Sequence, residues 1–235
     1  MKKLSYLMLA WLALCAPLTA LAAPPAHIRA VYDLYKDSIR IGKIEESYAR
    51  DGDRYTLTST TTPIGLLALF KPEKVFVRSS GVIGKNGLQP QSFSHRREND
   101  AAKDSDAEFD WQDGKVALIH QAQRETLALP QGTQDRLSAM YQFMFLPLKD
   151  GALDFTMTNG HKLDSYHYAV ARGPNLDTPA GKFGTLYLDS QPKPGERRTE
   201  IWLARQRHYL PCKMVITEAN GGRLIQVLSE ISVKP

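Results

Sequence analysis

The amino-acid sequence predicts a mostly β protein, an antiparallel sandwich or barrel carrying one short helix. Three observations predict it. Asx-Gly turn signals recur along the chain, at Asp51-Gly52-Asp53, Asn86-Gly87, Asp113-Gly114, Asn159-Gly160 and Asn220-Gly221-Gly222; these pairs tolerate the positive φ that tight hairpins require. The segments between them alternate apolar and polar residues with a period of two, the signature of half-buried strands. Helical spacing is clear in one stretch only, around Leu137 to Met144.

The first segment is not part of that fold. Met1-Lys2-Lys3 is followed by an apolar run from Leu4 to Leu14 and by Ala20-Leu21-Ala22. A basic head, a short apolar stretch and an A-x-A site make residues 1–22 a cleavable signal peptide and place the product in the periplasm. The apolar run is shorter than the roughly 20 residues a spanning helix needs. Cys15 follows Leu14, where a lipoprotein signal would carry a small residue, so it reads as part of the discarded peptide. Residues 23–235 then form one domain, long enough to bury a sizeable core. No later apolar run reaches spanning length, and a soluble product is expected.

Within that domain the elements follow in order. In the second strand Ile39 and Ile41 share one face, while Ile44 and Tyr48 share the other. Gly42 sits at the switch and marks a bulge, a device that bends a strand and lets a sheet curl. Pro63 to Pro72 brackets the apolar run Ile64-Gly65-Leu66-Leu67-Ala68-Leu69-Phe70, a helical turn or lid-like loop. Ala107, Phe109 and Trp111 alternate with acids, and Leu153, Phe155 and Met157 alternate with Asp154, Thr156 and Thr158. Thr133 to Leu146 carries Leu137, Met140, Tyr141 and Met144 at i, i+3, i+4, i+7, with Asp135 or Thr133 to cap it and Pro147 to stop it. Packing of this helix on the concave side of the sheet is the simplest use of its apolar face. Ile225, Val227, Ile231 and Val233 share one face of the last strand. Glu98–Ser105, Pro130–Gln134, Gly173–Gly181 and Gln191–Arg198 read as irregular segments.

Charge and motifs restrict the chemistry. Without residues 1–22 the chain has 28 basic and 25 acidic residues, a spread-out +3, which gives no electrostatic footprint for nucleic acid. Cys212 is then the one remaining cysteine; it shares the parity of Leu210, Met214 and Ile216, which alternate with Pro211, Lys213, Val215 and Thr217, and this sets it on the more apolar face, where an inert thiol is expected. His161 and His167 are the closest histidines in sequence, but along one strand they would lie roughly 20 Å apart at about 3.4 Å per residue, so no metal site is expected. No H-E-x-x-H, G-x-S-x-G, phosphate-binding loop or dinucleotide fingerprint occurs, and neither a cofactor nor an enzyme activity is expected. Lys193, Arg197, Arg198, Arg205, Arg207 and His208 form a loose basic cluster around Ile201-Trp202-Leu203. It reads as a solvated hairpin end, or as a rim meeting the phosphates of lipid headgroups at a membrane surface.

Several blocks together resemble a known family. They are Tyr32-Asp33, Gly52-Asp53-Arg54-Tyr55, Gly65-Leu66-Leu67-Ala68-Leu69-Phe70, Gly87-Leu88-Gln89-Pro90, Thr178-Pro179-Ala180-Gly181, and Glu200-Ile201-Trp202-Leu203-Ala204 followed by Tyr209-Leu210-Pro211. In that order and spacing the chain resembles domain-of-unknown-function family 3108, exported bacterial proteins. The resemblance implies a curved antiparallel sheet or incomplete barrel, lipocalin-like or LolA-like in general shape. It brings no activity and no catalytic residues.

A curled sheet encloses space, and such pockets are mostly apolar. The first expectation is therefore a binding or carrier protein for an apolar or amphipathic ligand such as a lipid. Ile64, Leu66, Leu67 and Phe70 would form its gate; Met140, Phe143, Met144 and Trp202 would contact the ligand. The alternative is a non-catalytic structural or interaction protein of the cell envelope, with the same apolar loop meeting a protein partner.

Overall fold

The computed structural model of the protein describes residues 24–70 and 72–235; the segment expected to be a signal peptide, with Cys15, lies outside these residues. Fifteen strands follow one another: β1 (His27–Lys36), β2 (Ile39–Asp51), β3 (Arg54–Pro63), β4 (Val75–Gly84), β5 (Gly87–Arg97), β6 (Ser105–Asp110), β7 (Lys115–His120), β8 (Gln123–Ala128), β9 (Gln134–Asp135), β10 (Gly151–Thr158), β11 (Leu163–Thr178), β12 (Gly181–Asp189), β13 (Arg198–Ala204), β14 (Leu210–Thr217) and β15 (Arg223–Lys234). They make one sheet in the order β8-β7-β6-β5-β4-β3-β2-β1-β15-β14-β13-β12-β11-β10-β9. Every neighbouring pair is antiparallel except β9–β10. The first and last strands pair in the middle, from His27↔Lys234 to Lys36↔Leu224. The edge strands β8 and β9 do not pair with each other, so the sheet is mostly β in the expected sense and not closed.

Local chemistry accounts for most of this. All five Asx-Gly signals fall at connections between consecutive strands of the sheet. The β1–β2 turn had no such signal. There Asp37 takes the left-handed conformation itself (φ 56°), which aspartate tolerates better than most residues, and its carboxylate accepts the Arg223 N–H at 2.8 Å. The expected bulge in β2 is present. Leu34 pairs with Gly42 and Tyr35 with Arg40, leaving Ile41 as the extra residue. Gly42 leaves room for Thr62 O and for the Leu34 side chain, which a Cβ would meet at 3.2 and 3.4 Å.

Two sequence expectations are corrected. Gly173–Gly181 is not irregular: β11 continues to Thr178, pairing with β12 from Asn175↔Gly184 to Thr178↔Gly181 after a bulge at Gly173-Pro174. Proline has no N–H for the ladder, so the chain steps around it. Thr185 Oγ1 donates to Pro174 O at 2.7 Å, and only glycine fits at 173, where a Cβ would stand 2.3 Å from that hydroxyl. The second correction concerns helices. Among the described residues there are two, α1 (Gly65–Phe70) and α2 (Ser138–Gln142), with short 3-10 turns at Ala101–Lys103 and Phe143–Phe145. Thr133 to Leu146 is therefore a two-residue strand, one and a half turns of α-helix and a 3-10 turn. Asp135 caps it as expected, Oδ1 accepting the N–H groups of Leu137 (2.9 Å) and Ser138 (2.8 Å).

This segment fills the space that the sheet curls around. Leu137 and Tyr141 pack with Tyr48, Leu57, Val77, Phe93 and Leu118 of the β1–β8 half. Phe143 packs with Tyr168, Val170, Leu188, Ile201 and Leu203 of the β10–β15 half, and Met140 touches both clusters. Phe143 is 1% exposed, so truncating it leaves a cavity walled by both halves. Phe143→Ala is expected to cost about 3–5 kcal/mol, read as a lower denaturation midpoint at unchanged slope. A loss below about 1 kcal/mol would mean that the interior is loosely filled.

Candidate functional site

In an antiparallel meander every second connection falls at the same end of the sheet. The α1 loop, the β5–β6 loop, the β10–β11 turn, the β12–β13 loop and the chain leaving β9 all share one end. At that end α1 packs against β2, and Ile64 N–H donates to Ile41 O at 2.9 Å. Pro63 and the left-handed Gly65 (φ 59°) set the entry. The helix turns most of its apolar residues outward: Leu66, Leu69 and Phe70 are 73%, 77% and 85% exposed, and Ile39 on β2 is 68% exposed. Under α1 lies a cleft of about 280 Å³, walled by Leu34, Ile41, Pro63, Leu67 and Val75, with Arg97 and Glu73 also in its lining. Arg97 Nη1 donates to Glu73 Oε2 at 2.6 Å, while Arg97 Nε is buried without a partner among the described residues.

Inward from this cleft the same face of the sheet becomes polar. Glu46 on β2 lies opposite Ser59 on β3, and its carboxyl accepts from Ser59 Oγ at 3.3 Å and from Tyr141 Oη at 3.1 Å. Burial pushes Glu46 up to about 7, against the opposing effect of those two hydroxyls and of Arg136. Tyr141 stacks on Tyr48 with ring centroids 5.8 Å apart. Tyr48 Oη has no partner among the described residues, and burial pushes it up to about 12. His95, opposite Val77 on β4, is held down to about 4 by burial and by the charge of Arg136, although Lys103 O faces its ring. Asp135 is buried and accepts from Ser79 Oγ at 2.5 Å; burial raises its pKa against these hydrogen bonds.

A larger cleft of about 520 Å³ lies against β6–β8, walled by Glu108, Asp110, Lys115, Arg124 and Thr126 beside Trp111. Its charges are exposed and partly paired, with Arg124 on Glu108 at 2.6 Å. Charged side chains share its wall with Phe109 and Trp111, whereas the wall at the α1 end is mainly apolar and includes Arg97 with its buried, unpartnered Nε, so the α1 end is the better candidate for a binding site.

The profile of the family described as "Protein of unknown function (DUF3108)" matches residues 31–227. The chain belongs to this family. No curated protein matches it. Among solved structures it is similar to a β-barrel-like protein of domain of unknown function DUF1849 from Brucella abortus, at 14% identity and a TM-score of 0.54, covering 89% of this chain and 98% of that one. A putative lipoprotein from Parabacteroides distasonis matches at 8% identity and a TM-score of 0.37, covering 88% and 95%. The Brucella likeness shows a shared barrel-like fold.

The structure of this DUF3108 protein divides the residues expected to meet a ligand. Ile64, Leu66, Leu67 and Phe70 are all at the α1 end, and Leu67 enters the wall of the cleft. Met140, Phe143 and Met144 belong to the central packing instead. Trp202 is on β13, with the Tyr187 ring at 5.0 Å and Lys213 Nζ over its face at 5.0 Å; the structure does not bring it to the cleft. Cys212 is buried with Sγ 3.3 Å from Trp202 O, and burial pushes the thiol up to about 11. In the basic cluster Arg198 is paired with Asp189 and Arg197 with Glu218. His161 does not meet His167, which hydrogen-bonds Asp154 at 2.6 Å; it meets His120, with ring centroids 3.6 Å apart. No group of three or more metal-ligating side chains occurs among the described residues.

Sequence reasoning missed Glu46 and Arg97. An acid on the inner face of β2 was the one available signal, since Glu46 shares the parity of Ile44 and Tyr48. The two perturbed groups oppose each other in their effect on stability. Glu46, with a folded pKa above its unfolded value, favours the folded state when protonated, and that contribution is lost as pH rises from about 4.5 through 7. His95 has a lowered folded pKa, so the unfolded chain takes up its proton first and stability rises with pH from about 4 to 6.5. Subtracting the profile of Glu46→Gln from that of the native protein isolates the first effect. The difference should grow across pH 4.5–7 to about 3 kcal/mol at most, the variant becoming the more stable. Parallel denaturation profiles across that window would contradict a buried Glu46 carboxyl.

Proposed function

We propose that this DUF3108 protein is a non-catalytic binding or carrier protein of the bacterial envelope for an apolar or amphipathic ligand such as a lipid. One observation carries the reading: α1 holds four large apolar residues at the surface directly over an apolar-walled cleft of about 280 Å³. Contiguous apolar surface of this kind marks interaction sites. The cleft falls just below the roughly 300–1,000 Å³ of small-molecule sites, a size that suits one chain of an amphiphile with its remainder against the exposed face of α1. The signal-like leader supplies the envelope location in this proposal.

A second reading rests on a different observation. The space between the two sheet halves is filled by α2 and the 3-10 turn after it, with Tyr141 and Phe143 each 1% exposed. A filled interior is what a scaffold would have, and α1 would then contact a protein.

Leu67 distinguishes the two. Leu67→Asp places a carboxylate on the cleft wall, where desolvation disfavours it. It should weaken uptake of a fluorescent fatty acid at least tenfold while changing the melting temperature little, because Leu67 is 36% exposed. A photo-crosslinker at position 67 should yield lipid adducts in envelope extracts, and native mass spectrometry of gently extracted protein should show bound lipid. A reproducibly empty protein that takes up no fatty acid, with one dominant protein adduct, would replace the carrier reading by the scaffold one.

A further inference from the structure

Among the described residues six large apolar side chains are exposed: Ile39, Leu66, Leu67, Leu69, Phe70 and Phe76. All six gather at the α1 end. Four belong to α1 itself, Ile39 is the first residue of β2 and Phe76 is the second of β4. The pairs Gly42↔Pro63 and Val75↔Thr61 set those two strand ends on either side of the β3 end from which α1 leaves. Leu67 contributes to the cleft wall; the other five lie outside it. Single exposed apolar residues are ordinary on a protein surface, but a set confined to one end marks an interaction surface.

Cations stand beside these residues. Lys36 is the partner of Ile39 in the β1–β2 ladder. Phe76 and Arg78 share the outer face of β4, opposite the buried Val77, and Lys74 stands just before that strand. Lys36, Lys74 and Arg78 are exposed, and none has an acidic partner within 4 Å among the described residues. The acids nearby are already engaged. Asp33 is paired with Arg40 and Glu73 with Arg97, while Asp37 and Glu98 accept the backbone N–H groups of Arg223 and Lys74. The apolar set is therefore bordered by uncompensated positive charge. Lysine is depleted in protein–protein interfaces. Leucine and phenylalanine bordered by lysine and arginine is instead the composition of segments that lie in the headgroup layer of a bilayer, with apolar side chains at the acyl boundary and cations on the phosphates.

We propose that the α1 end docks on an anionic phospholipid bilayer, with Leu66, Leu69 and Phe70 entering the headgroup–acyl boundary and Lys36, Lys74 and Arg78 meeting lipid phosphates. Docking goes beyond the carrier reading and stands without it. Where both hold, the cleft under α1 lies next to the bilayer.

Co-sedimentation with vesicles tests the docking. The fifteen strands lie within residues 27–234, so the chain without residues 1–22 is used; the apolar leader would itself partition into lipid. This protein should bind vesicles of phosphatidylcholine mixed with phosphatidylglycerol at least about tenfold more tightly than vesicles of phosphatidylcholine alone, and raised salt should erode the difference. Lys36→Gln, Lys74→Gln and Arg78→Gln combined should bring the two vesicle types within about twofold of each other. Leu69→Ser with Phe70→Ser should weaken binding to both at least about tenfold. These five side chains are exposed, so the variants should melt near the native temperature. A polarity-sensitive dye on Phe70→Cys reads the contact even if they do not. Its emission should shift to the blue on adding the mixed vesicles, while the same dye on Asp113→Cys, in the β6–β7 turn at the opposite end, should not respond; Cys212 is buried and stays unlabelled. Equal binding of the two vesicle types by the native protein, binding of neither, or a dye at position 70 that stays in water would overturn the proposal. Vesicle binding without uptake of a fluorescent fatty acid would uphold docking and overturn the carrier reading alone. Uptake without vesicle binding would do the reverse.

Discussion

The carboxylate of Asp135 organises the interior. It lies between the plug and the sheet: one oxygen accepts two N–H groups at the start of α2, the other accepts from Ser79 on β4. Tyr55 extends the network through its contact with Ser79 at 3.2 Å. These partners are the condition for burying the group at all, since a carboxylate without them would be strongly disfavoured in a dry interior. The consequence reaches across the molecule. Edge strands β8 and β9 do not pair, so no ladder sets how far the sheet curls. The anchored segment does so by packing: fixed at Asp135, it directs Leu137 and Tyr141 to one half of the sheet and Phe143 to the other.

Much of the scaffold was legible because its determinants are local. The Asx-Gly pairs marked five connections, a change in apolar parity marked the bulge at Ile41-Gly42, and Asp135 was a recognisable cap. The errors have local causes too. Gly173-Pro174 carries loop chemistry, and what rescues it for the sheet is Thr185 on the neighbouring strand, which no local pattern reveals. The site was less legible because its partners are distant in sequence. Tyr141 reaches Glu46 across 95 residues, and Ser79 reaches Asp135 across 56. The interest of Arg97 comes from a buried Nε without a partner among the described residues, a property that exists only once the neighbours are placed. The Leu137–Met144 spacing was read correctly as apolar, but periodicity cannot say whether an apolar face lines a cavity or fills one.

The interior therefore has two characters. Around Phe143 it is dry and packed. Toward the α1 end, Glu46, His95 and Arg97 share the inner face with the apolar wall of the cleft. Stability alone gives little reason for such an arrangement, because well-packed apolar residues usually serve as well as buried charges or better. Glu46 and His95 both carry pKa values displaced toward their neutral forms, the response of ionisable groups kept in place despite desolvation. Perturbed groups that converge beside a cleft are a reason to look for a ligand there.

Access to that cleft depends on α1. A six-residue helix is far too short to be stable by itself, so its conformation is supplied by its attachments. Those are few: the backbone bond from Ile64 to Ile41, the turn set by Pro63 and Gly65, and Leu67 on the cleft wall, while no residue of the helix is fully buried. Segments with few buried apolar contacts open at low cost relative to global unfolding. Moving α1 away would uncover Leu34, Ile41 and Val75 and expose little that water does not already reach on Leu66, Leu69 and Phe70. A ligand that covers both surfaces would recover apolar burial from each, and this coupling makes the exposed face of the helix part of the same site as the cleft beneath it.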